Sequence, residues 1–330
     1  MDKGSYWQGR FKREWAQQPG QHLVVTGPTG SGKTNSFFWM LHALLNERYN
    51  KPVSQWETIV WFDIRKSSEI LSICCAFKMP VRLIIPDMMD IHVELFDQES
   101  TYYDVEKVFV QSEGDIWKNI SKERVNIVAF EGFIRDIDRM VPFVKKTFSR
   151  LIDMALDYHM NKVTPMAIFY DEFHNIAPSK GNAATSDIFR YGGDIQLNVE
   201  KLRSVGIRFV ISCHKWTELR PGIRNSMMFI AAMRGANFPS AEQPKLSRFN
   251  RKFEKLEVGQ LMIAFPSRTI TDPINLPLYP TGRNYGYVFY KGRLTPPERR
   301  KKANPNMISI KDLAALMKEI SPQEAEQQTP

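Results

Sequence analysis

Residues 21–34 decide the fold, and they read QHLVVTGPTGSGKT. Residues 21–26 predict a short apolar strand, and the pattern Gly27-x-x-x-x-Gly32-Lys33-Thr34 follows it directly. The next residues predict an amphipathic helix, because apolar side chains recur at helical spacing on one face. That face would carry Phe37, Met40, Leu41, Leu44 and Leu45. Strand, glycine-rich loop and helix in this order are typical of a phosphate-binding loop.

The loop has the chemistry that a nucleoside triphosphate requires. Its glycines let successive backbone N–H groups converge on phosphate oxygens. Lys33 supplies a charge for the β- and γ-phosphates, and Thr34 offers its hydroxyl to Mg²⁺ at the start of the helix. We therefore expect ATP and Mg²⁺ as cofactors, the alternative being a glycine-rich turn before a core helix. The candidate nucleotide-binding residues here are Gly27, Pro28, Thr29, Gly30, Ser31, Gly32, Lys33, Thr34 and Asn35.

Composition indicates a soluble α/β protein. The chain has 330 residues, of which 43% are hydrophobic, enough for one large domain with extensions or for two unequal domains. Its apolar runs are too short to span a bilayer and its N-terminus lacks a secretory pattern, so we expect no membrane span and a cytoplasmic location.

The charge distribution suggests a polyanionic partner. The formal net charge is +9, although ten acidic and four basic residues lie between Asp87 and Arg124. The surplus of positive charge outside this acidic insert favours nucleic acid as the partner, while a solvated basic face is the alternative. Residues 88–96 and 105–110 predict two extended pieces inside the insert.

Carboxylates follow two other predicted strands. Asp63 comes after the apolar run Thr58–Phe62, at the edge where open α/β sheets bind their ligands. Asp171 and Glu172 come after the apolar run Pro165–Tyr170. We expect Asp171 to hold Mg²⁺ together with Thr34, and Glu172 to activate the attacking water.

The chain between and beyond these strands carries further candidates. A long helix is predicted from about Ile137 to His159 with Pro142 inside it, the alternative being a start one residue before that proline. Ser179–Gln196 is rich in Gly, Asn and Ser and predicts a loop, either an ordinary surface loop or a substrate loop that contacts the polyanionic partner and moves with nucleotide state. The strand Gly206–Ser212 presents His214 beside the γ-phosphate. Residues 253–265 and 270–276 predict a closing antiparallel pair.

The termini predict an arm and a tail around an ATPase domain that spans residues 21–280. Residues 1–20 mix aromatic and basic side chains, which either pack on the protein itself or contact nucleic acid. In residues 281–330 a basic, aromatic stretch, 283–302, suits either DNA contact or a strand followed by a solvated linker. A short terminal helix, 310–320, is a candidate docking element for a protein partner, and residues 321–330 predict disorder.

From Gln21 to about Leu276 the chain resembles the HerA/FtsK superfamily of ring-forming ATPases, nearer its HerA branch. The resemblance rests on the phosphate loop, on Asp63–Glu69, on Asp171–Pro178 (DEFHNIAP) and on Arg203–Ile207 (RSVGI). It implies a RecA-like fold with a mostly parallel sheet flanked by helices, and a hexameric ring of identical subunits. It also implies that Arg203 reaches the neighbouring subunit's nucleotide as an arginine finger, with Arg234 a second candidate.

One residue departs from the family pattern. The sensor strand of this family usually ends in Gln, whereas His214 stands at the nearest position here. A histidine can still hydrogen-bond the γ-phosphate or the attacking water.

The expected function is ATP-driven translocation of double-stranded DNA, in genome packaging or DNA transfer. Within the resemblance, the coupling proteins of type IV secretion carry N-terminal membrane spans that we do not expect here. Cytosolic DNA translocases and viral genome-packaging ATPases remain, and the short chain favours packaging over chromosome processing. Two rival functions remain open: an ATPase that energises protein secretion or assembly, and a phosphate-loop kinase that acts on a small molecule.

Overall fold

The phosphate-loop strand lies inside a ten-stranded, mostly parallel sheet. In the computed structural model, the described residues are 3–49, 51–63, 72–87, 89–95, 102–129, 137–156, 164–279 and 285–291. The order of strands across the sheet is β11-β10-β9-β1-β8-β7-β2-β6-β3-β5. The strands are β1 (Leu23–Thr26), β2 (Thr58–Phe62), β3 (Val81–Pro86), β4 (Met89–Leu95), β5 (Val105–Val110), β6 (Val125–Val128), β7 (Met166–Tyr170), β8 (Ile207–Cys213), β9 (Phe229–Met233), β10 (Gln260–Ala264), β11 (Ile274–Asn275) and β12 (Tyr285–Lys291).

Strand order sets which side chains can meet. β1 pairs in parallel with β8 on one side and with β9 on the other, so that Leu23 faces both Val210 and Phe229. β7, which precedes the acidic pair, pairs in parallel with the far side of β8. Because parallel strands end at the same edge, the loop after β1, His214 after β8 and the acids after β7 gather at the carboxyl edge of the sheet.

Helices cover both faces of the sheet. They are α1 (Lys3–Phe11), α2 (Lys33–Asn46), α3 (Ser72–Phe77), α4 (Ile137–Leu156), α5 (Ser186–Ser204), α6 (Pro221–Ser226), α7 (Pro244–Ser247) and α8 (Asn250–Glu254). Apolar residues of α1 and α2 join one core cluster, and those of α4 and α5 join the other. All residues of β1, β2, β7, β8 and β9 are buried, as expected of parallel strands covered on both faces. The predicted RecA-like fold class is therefore confirmed.

The long predicted helix is confirmed from Ile137, and a predicted loop was wrong. α4 begins at Ile137 and contains Pro142 instead of starting beside it, and residues 157–159 of the prediction lie outside the described residues. Ser179–Gln196 is not a loop, since α5 begins at Ser186 and continues to Ser204. Burial of its apolar side at Ile188, Tyr191 and Ile195 outweighs the low helix propensity of the adjacent glycines.

Gly192 fits this helix for a steric reason. A Cβ atom at Gly192 would lie 3.0 Å from the Cα of Ala177, so a side chain there would push α5 away from the segment that follows the acidic pair. Thr185 caps the helix by accepting a hydrogen bond from the N–H of Ile188 over 3.2 Å. The glycines therefore mark close packing here and not a flexible loop.

The acidic insert contributes two extended pieces, as predicted. β5 pairs in parallel with β3 at one end of the sheet. β4 pairs antiparallel with β12, so the first half of the basic, aromatic stretch is a strand. At the other end of the sheet, β10 and β11 form the predicted antiparallel pair, shorter than the sequence indicated.

The N-terminal residues pack on the domain itself. Phe11 and Trp15 are buried, and the carbonyl of Trp15 accepts a 2.7 Å hydrogen bond from Nη1 of Arg208. Arg208 is fully buried and also donates from Nε to Oε1 of Glu57 over 2.6 Å. This anchor fixes the helical turn Lys12–Ala16, which directly follows α1, against the amino edge of the sheet. Of the other expectations, residues 64–69, the terminal helix 310–320 and the predicted disorder of 321–330 lie outside the described residues. No described helix has the length and apolar character to cross a bilayer.

Candidate nucleotide-binding site

The phosphate loop bends where its glycines allow it. Gly30 and Gly32 have φ angles of 79° and 97°, in the left-handed region that side chains rarely adopt. A Cβ atom at Gly27 would lie 2.8 Å from both Cβ of Met233 and Oγ of Ser31, so no side chain fits there. A Cβ atom at Gly30 would meet no described heavy atom within 4 Å, so this side of the loop is open. The loop is a cradle with one open face.

Lys33 lies within the cradle. The residue is 6% exposed, and its Nζ donates to the carbonyl of Gly27 over 2.8 Å and to that of Pro28 over 3.1 Å. Oγ of Ser31 is also buried and has no hydrogen-bond partner among the described residues. A buried hydroxyl without a partner is costly unless a ligand satisfies it. The open face, the buried ammonium and this hydroxyl fit a triphosphate, with Thr34 on the first turn of α2 as an oxygen ligand for Mg²⁺.

His214 joins the two halves of the site. Its Nδ1 lies 3.2 Å from Nζ of Lys33, and its Nε2 lies 3.4 Å from Oε1 of Glu172. Since an ammonium can only donate, Nδ1 must accept, which assigns the proton of the neutral ring to Nε2. Nε2–H then points at the Glu172 carboxylate. The phosphate-loop lysine and the candidate base are thus connected through one imidazole ring.

Glu172 is aimed by an unusual backbone turn. Its φ and ψ are 53° and 44°, the left-handed region, which costs a residue with a side chain about 1–2 kcal/mol. Its N–H donates to Oγ of Ser212 over 2.9 Å, and Oγ of Ser212 in turn donates to Oδ1 of Asp171. Nδ2 of Asn175 lies 3.3 Å from Oε2 of Glu172. The turn therefore directs Glu172 to His214 while Asp171 stays buried beside Ser212.

His174 backs the imidazole of His214. Their ring centroids are 5.2 Å apart with the rings edge to face, and Nε2 of His174 lies 4.0 Å from Oε2 of Glu218. Burial lowers the pKa of His174 below its ordinary value of 6.5, an effect that outweighs the carboxylate of Glu218. His174 is consequently neutral near pH 7 and adds no charge to the site.

Asp63 and Asn35 have different surroundings. Asp63 is 2% exposed at the end of β2, next to the strand of the acidic pair, and its N–H donates to the carbonyl of Val128 over 3.0 Å. It lies at the predicted edge of the sheet but three strands away from β1. The side chain of Asn35 donates to the carbonyl of Pro277 over 2.9 Å and accepts from the N–H of Tyr279 over 3.0 Å. Asn35 therefore ties the chain after β11 to α2, and its side chain is not directed to a nucleotide.

The two candidate arginines lie at opposite edges of the sheet. Arg234 is exposed, and the loop it opens touches the phosphate loop of its own chain, since a Cβ atom at Gly27 would lie 3.4 Å from the Arg234 carbonyl. Arg203 precedes β8 at the amino edge, where its Nη1 lies 3.3 Å from Sδ of Met228. Within one chain Arg234 is near the candidate site and Arg203 is far from it.

Some residues of the candidate site were not predicted from the sequence. Ser212 was predicted only as part of a strand, although a polar residue at the end of a buried strand next to two acids is a usable signal. Gly259 donates from its N–H to the carbonyl of Ser31 over 3.4 Å, a contact that depends on the antiparallel return of β10.

A cavity of about 590 Å³ opens beside the phosphate loop. Its lining is Pro28, Thr29, His214, Lys215, Thr217, Gly235, Asn237 and Pro239.

No protein-family model and no curated protein sequence matches the chain. Several solved structures are similar to it. The genome-packaging NTPase B204 from Sulfolobus turreted icosahedral virus 2, in complex with sulfate, is 14% identical, with a TM-score of 0.48 over 78% of this chain and 98% of that one. The bacterial conjugative coupling protein TrwBdeltaN70 is 12% identical, with a TM-score of 0.47 over 84% of this chain and 92% of that one.

ATPases 2 and 3 of EssC from Geobacillus thermodenitrificans are 12% identical, with a TM-score of 0.42 over 96% of this chain and 46% of that one. At these identities the likeness alone assigns no function to this chain.

Proposed function

We propose that the protein is an Mg²⁺-dependent ATPase that moves double-stranded DNA. The observation that carries the enzymatic part is the chain of contacts from Lys33 through His214 to Glu172, with distances of 3.2 and 3.4 Å. A group that binds the γ-phosphate and a group that activates water must lie close together for hydrolysis. Two carboxylates, a lysine and a histidine at one loop edge satisfy that requirement.

Each side chain has its own task. Glu172 orients a water molecule and accepts its proton, and its left-handed turn keeps the carboxylate aimed at the loop. Lys33 lies inside the cradle and would exchange its carbonyl partners for the β- and γ-phosphate oxygens. His214 places Nε2 3.4 Å from Oε1 of Glu172 and so holds the carboxylate in place by electrostatic contact.

Thr34 and Asp171 would hold the metal. Asp171 is 6% exposed and receives the Ser212 hydroxyl on Oδ1, which fixes the carboxylate as an outer-shell partner should. Mg²⁺ neutralises charge on the phosphates when it is bound. The residue that remains for water activation is Glu172, because Asp171 is turned toward Ser212.

A neighbouring subunit of the proposed ring would supply the site with one more positive charge. Arg203 lies at the amino edge of its own sheet and the phosphate loop at the carboxyl edge, so Arg203 cannot serve the site of its own chain. In a ring, where the amino edge of one subunit faces the carboxyl edge of the next, it would serve the neighbour. An arginine supplied in this way is worth roughly 10³–10⁵ in rate, which makes hydrolysis depend on assembly. We propose a hexamer, on the resemblance to the HerA/FtsK superfamily. Arg234, beside its own loop, is the candidate for a charge supplied within the chain.

The formal net charge of +9 and the resemblance support DNA as the cargo. The test is ATP hydrolysis by the full chain with and without duplex DNA, in a series of salt concentrations, together with electron microscopy for rings. We expect stimulation by DNA that declines with salt, and no hydrolysis by Lys33→Ala. Hydrolysis without any response to DNA would favour an assembly or secretion factor, and a phosphorylated small molecule would favour a kinase.

A further inference from the structure

The segment between β9 and β10 carries a dense group of cations. From Pro244 to Lys255 the sequence has five basic residues and one acidic residue. All five basic side chains are exposed, and none forms an ion pair with any described residue. They are Lys245, Arg248, Arg251, Lys252 and Lys255. Residues 244–255 are called the basic segment below. Five unpaired charges in so short a stretch repel one another, which favours an anionic partner.

The cations form a row because the backbone is nearly continuous helix. α7 ends at Ser247 and α8 begins at Asn250, and both Arg248 and Phe249 between them have right-handed helical angles. Residues 245, 248, 251 or 252 and 255 are three or four positions apart, so they repeat about once per turn, roughly every 5 Å. Lys252 is held in place by a cation–π contact, with Nζ 5.2 Å from the centre of the Phe249 ring.

The apolar side of the same segment is committed to the core. Leu246, Phe253 and Leu256 are buried, with exposed fractions of 4%, 0% and 4%. The exposed side therefore has no large aliphatic side chain to insert into a bilayer, which argues against a membrane surface. A row of cations over a buried apolar base fits a phosphate backbone, where contacts are electrostatic and independent of sequence.

The segment is attached to the nucleotide site at both of its ends. Toward its start, a Cβ atom at Gly235 would lie 3.0 Å from Cγ of Pro28, and the N–H of Gly235 donates to the carbonyl of Phe253 over 3.0 Å. Beyond its end, the N–H of Gly259 donates to the carbonyl of Ser31 over 3.4 Å. The chain on either side of the basic segment therefore contacts the phosphate loop, through Gly235 before the segment and Gly259 after it.

A third contact joins the chain just before the basic segment to the loop after β8, which carries His214. Oε2 of Glu242 accepts a hydrogen bond from Nε1 of Trp216 over 3.2 Å, and it forms an ion pair with Arg224. Trp216 lies two residues after His214. A displacement of either the phosphate loop or the His214 loop is thus transmitted to the chain that carries the cations.

We propose that the basic segment grips the phosphate backbone of DNA and that nucleotide turnover moves it through these three attachments. The proposal rests on the proposed function, and it replaces Ser179–Gln196 as the element that contacts DNA. That stretch is largely the first half of α5, whereas the basic segment is exposed and lies between Gly235 and Gly259, which contact the phosphate loop.

The test compares two triple variants of the full chain that lose the same charge. The first is Arg248→Gln, Arg251→Gln and Lys255→Gln. The control removes three exposed lysines elsewhere, with Lys12→Gln, Lys118→Gln and Lys201→Gln. Affinity for a fluorescent duplex of mixed sequence is measured between about 50 and 200 mM NaCl. Each lost phosphate contact lowers the slope of log affinity against log salt by about 0.9, so the first variant should lose about 2.7 of the wild-type slope.

Over a fourfold range of salt this difference corresponds to about 40-fold in affinity, and the control should keep the wild-type slope. DNA stimulation of ATP hydrolysis should fall with it, while hydrolysis without DNA stays at the wild-type rate in both variants. That basal rate also reports that the variants fold.

Equal slopes in the two triple variants would overturn the proposal, because net charge alone would then explain binding. Binding of anionic phospholipid vesicles in place of the duplex, lost in the first variant, would overturn it in favour of a membrane. Wild-type chain that hydrolyses ATP but never binds a duplex would refute DNA as the cargo and the proposed function with it. Normal DNA binding by the first variant refutes only the role of the basic segment.

Discussion

Replacing His214 separates the binding of ATP from its hydrolysis. In His214→Ala, the Glu172 carboxylate loses the donor that lies 3.4 Å away at Nε2, whereas Lys33 keeps the carbonyls of Gly27 and Pro28 as partners. A hydrogen bond to a charged group contributes about 1.5–3 kcal/mol, which corresponds to roughly 10- to 100-fold in rate. We expect kcat to fall by that factor and KM to change less than threefold, roughly.

His214→Gln is the matched variant, because its amide oxygen can accept from Lys33 while its NH₂ group donates to Glu172. It should retain most of the wild-type kcat. Steady-state phosphate release at a series of ATP concentrations measures both constants. Wild-type kcat in His214→Ala would refute the positioning role. A loss in His214→Gln as large as in His214→Ala would show that the imidazole itself takes part in proton transfer.

Four further results are expected. Glu172→Gln should bind ATP but hydrolyse it at least about 100-fold more slowly, checked by nucleotide binding beside phosphate release, and wild-type turnover would exclude Glu172 as the base. Mixing Arg203→Ala with Glu172→Gln subunits should restore some hydrolysis if Arg203 acts on the neighbouring site, and failure at every ratio would count against it. Ser212→Ala should raise the Mg²⁺ concentration for half-maximal activity by about 10- to 100-fold, because Asp171 loses its outer-shell donor; an unchanged Mg²⁺ titration would contradict this. Burial lowers the pKa of His22 from 6.5 to about 4, so the unfolded chain alone takes up this proton as pH falls between those values, and stability is lost. When the pH falls from 7 to 4, the free energy of unfolding measured with urea should therefore decrease by about 3 kcal/mol more in the wild type than in His22→Asn. An equal decrease in both proteins would contradict that cause.

Local signals in the sequence identified most of the site. The phosphate loop and the acidic pair are each set by a strand and the residues directly after it, so their patterns are complete within a dozen residues. Both were found without knowledge of the sheet. His214 was placed near the γ-phosphate because it ends a strand, but its contacts with Lys33 and Glu172 follow from the position of β8 between β1 and β7.

Tertiary packing determines the features that local sequence patterns did not predict. The adjacent glycines at 192 and 193 indicated a loop, yet close contact with Ala177 requires a residue without a side chain inside a helix. Arg234 was a candidate for a neighbour's site because it ends a strand, and only strand order shows that this strand borders its own phosphate loop. The role of Asn35 depended on Pro277 and Tyr279, which lie more than 240 residues further along the chain.

The place of β1 in the sheet also governs when the site can form during synthesis. Both hydrogen-bonded neighbours of β1, β8 and β9, are made of residues from 207 onward. At about 5–20 residues per second, the ribosome takes some ten to forty seconds to reach them after β1 has emerged. Until then the phosphate loop has no strand on either side and no His214 for Lys33. A nascent or truncated chain therefore carries the complete loop sequence without the assembled candidate site, which forms only once most of the domain exists.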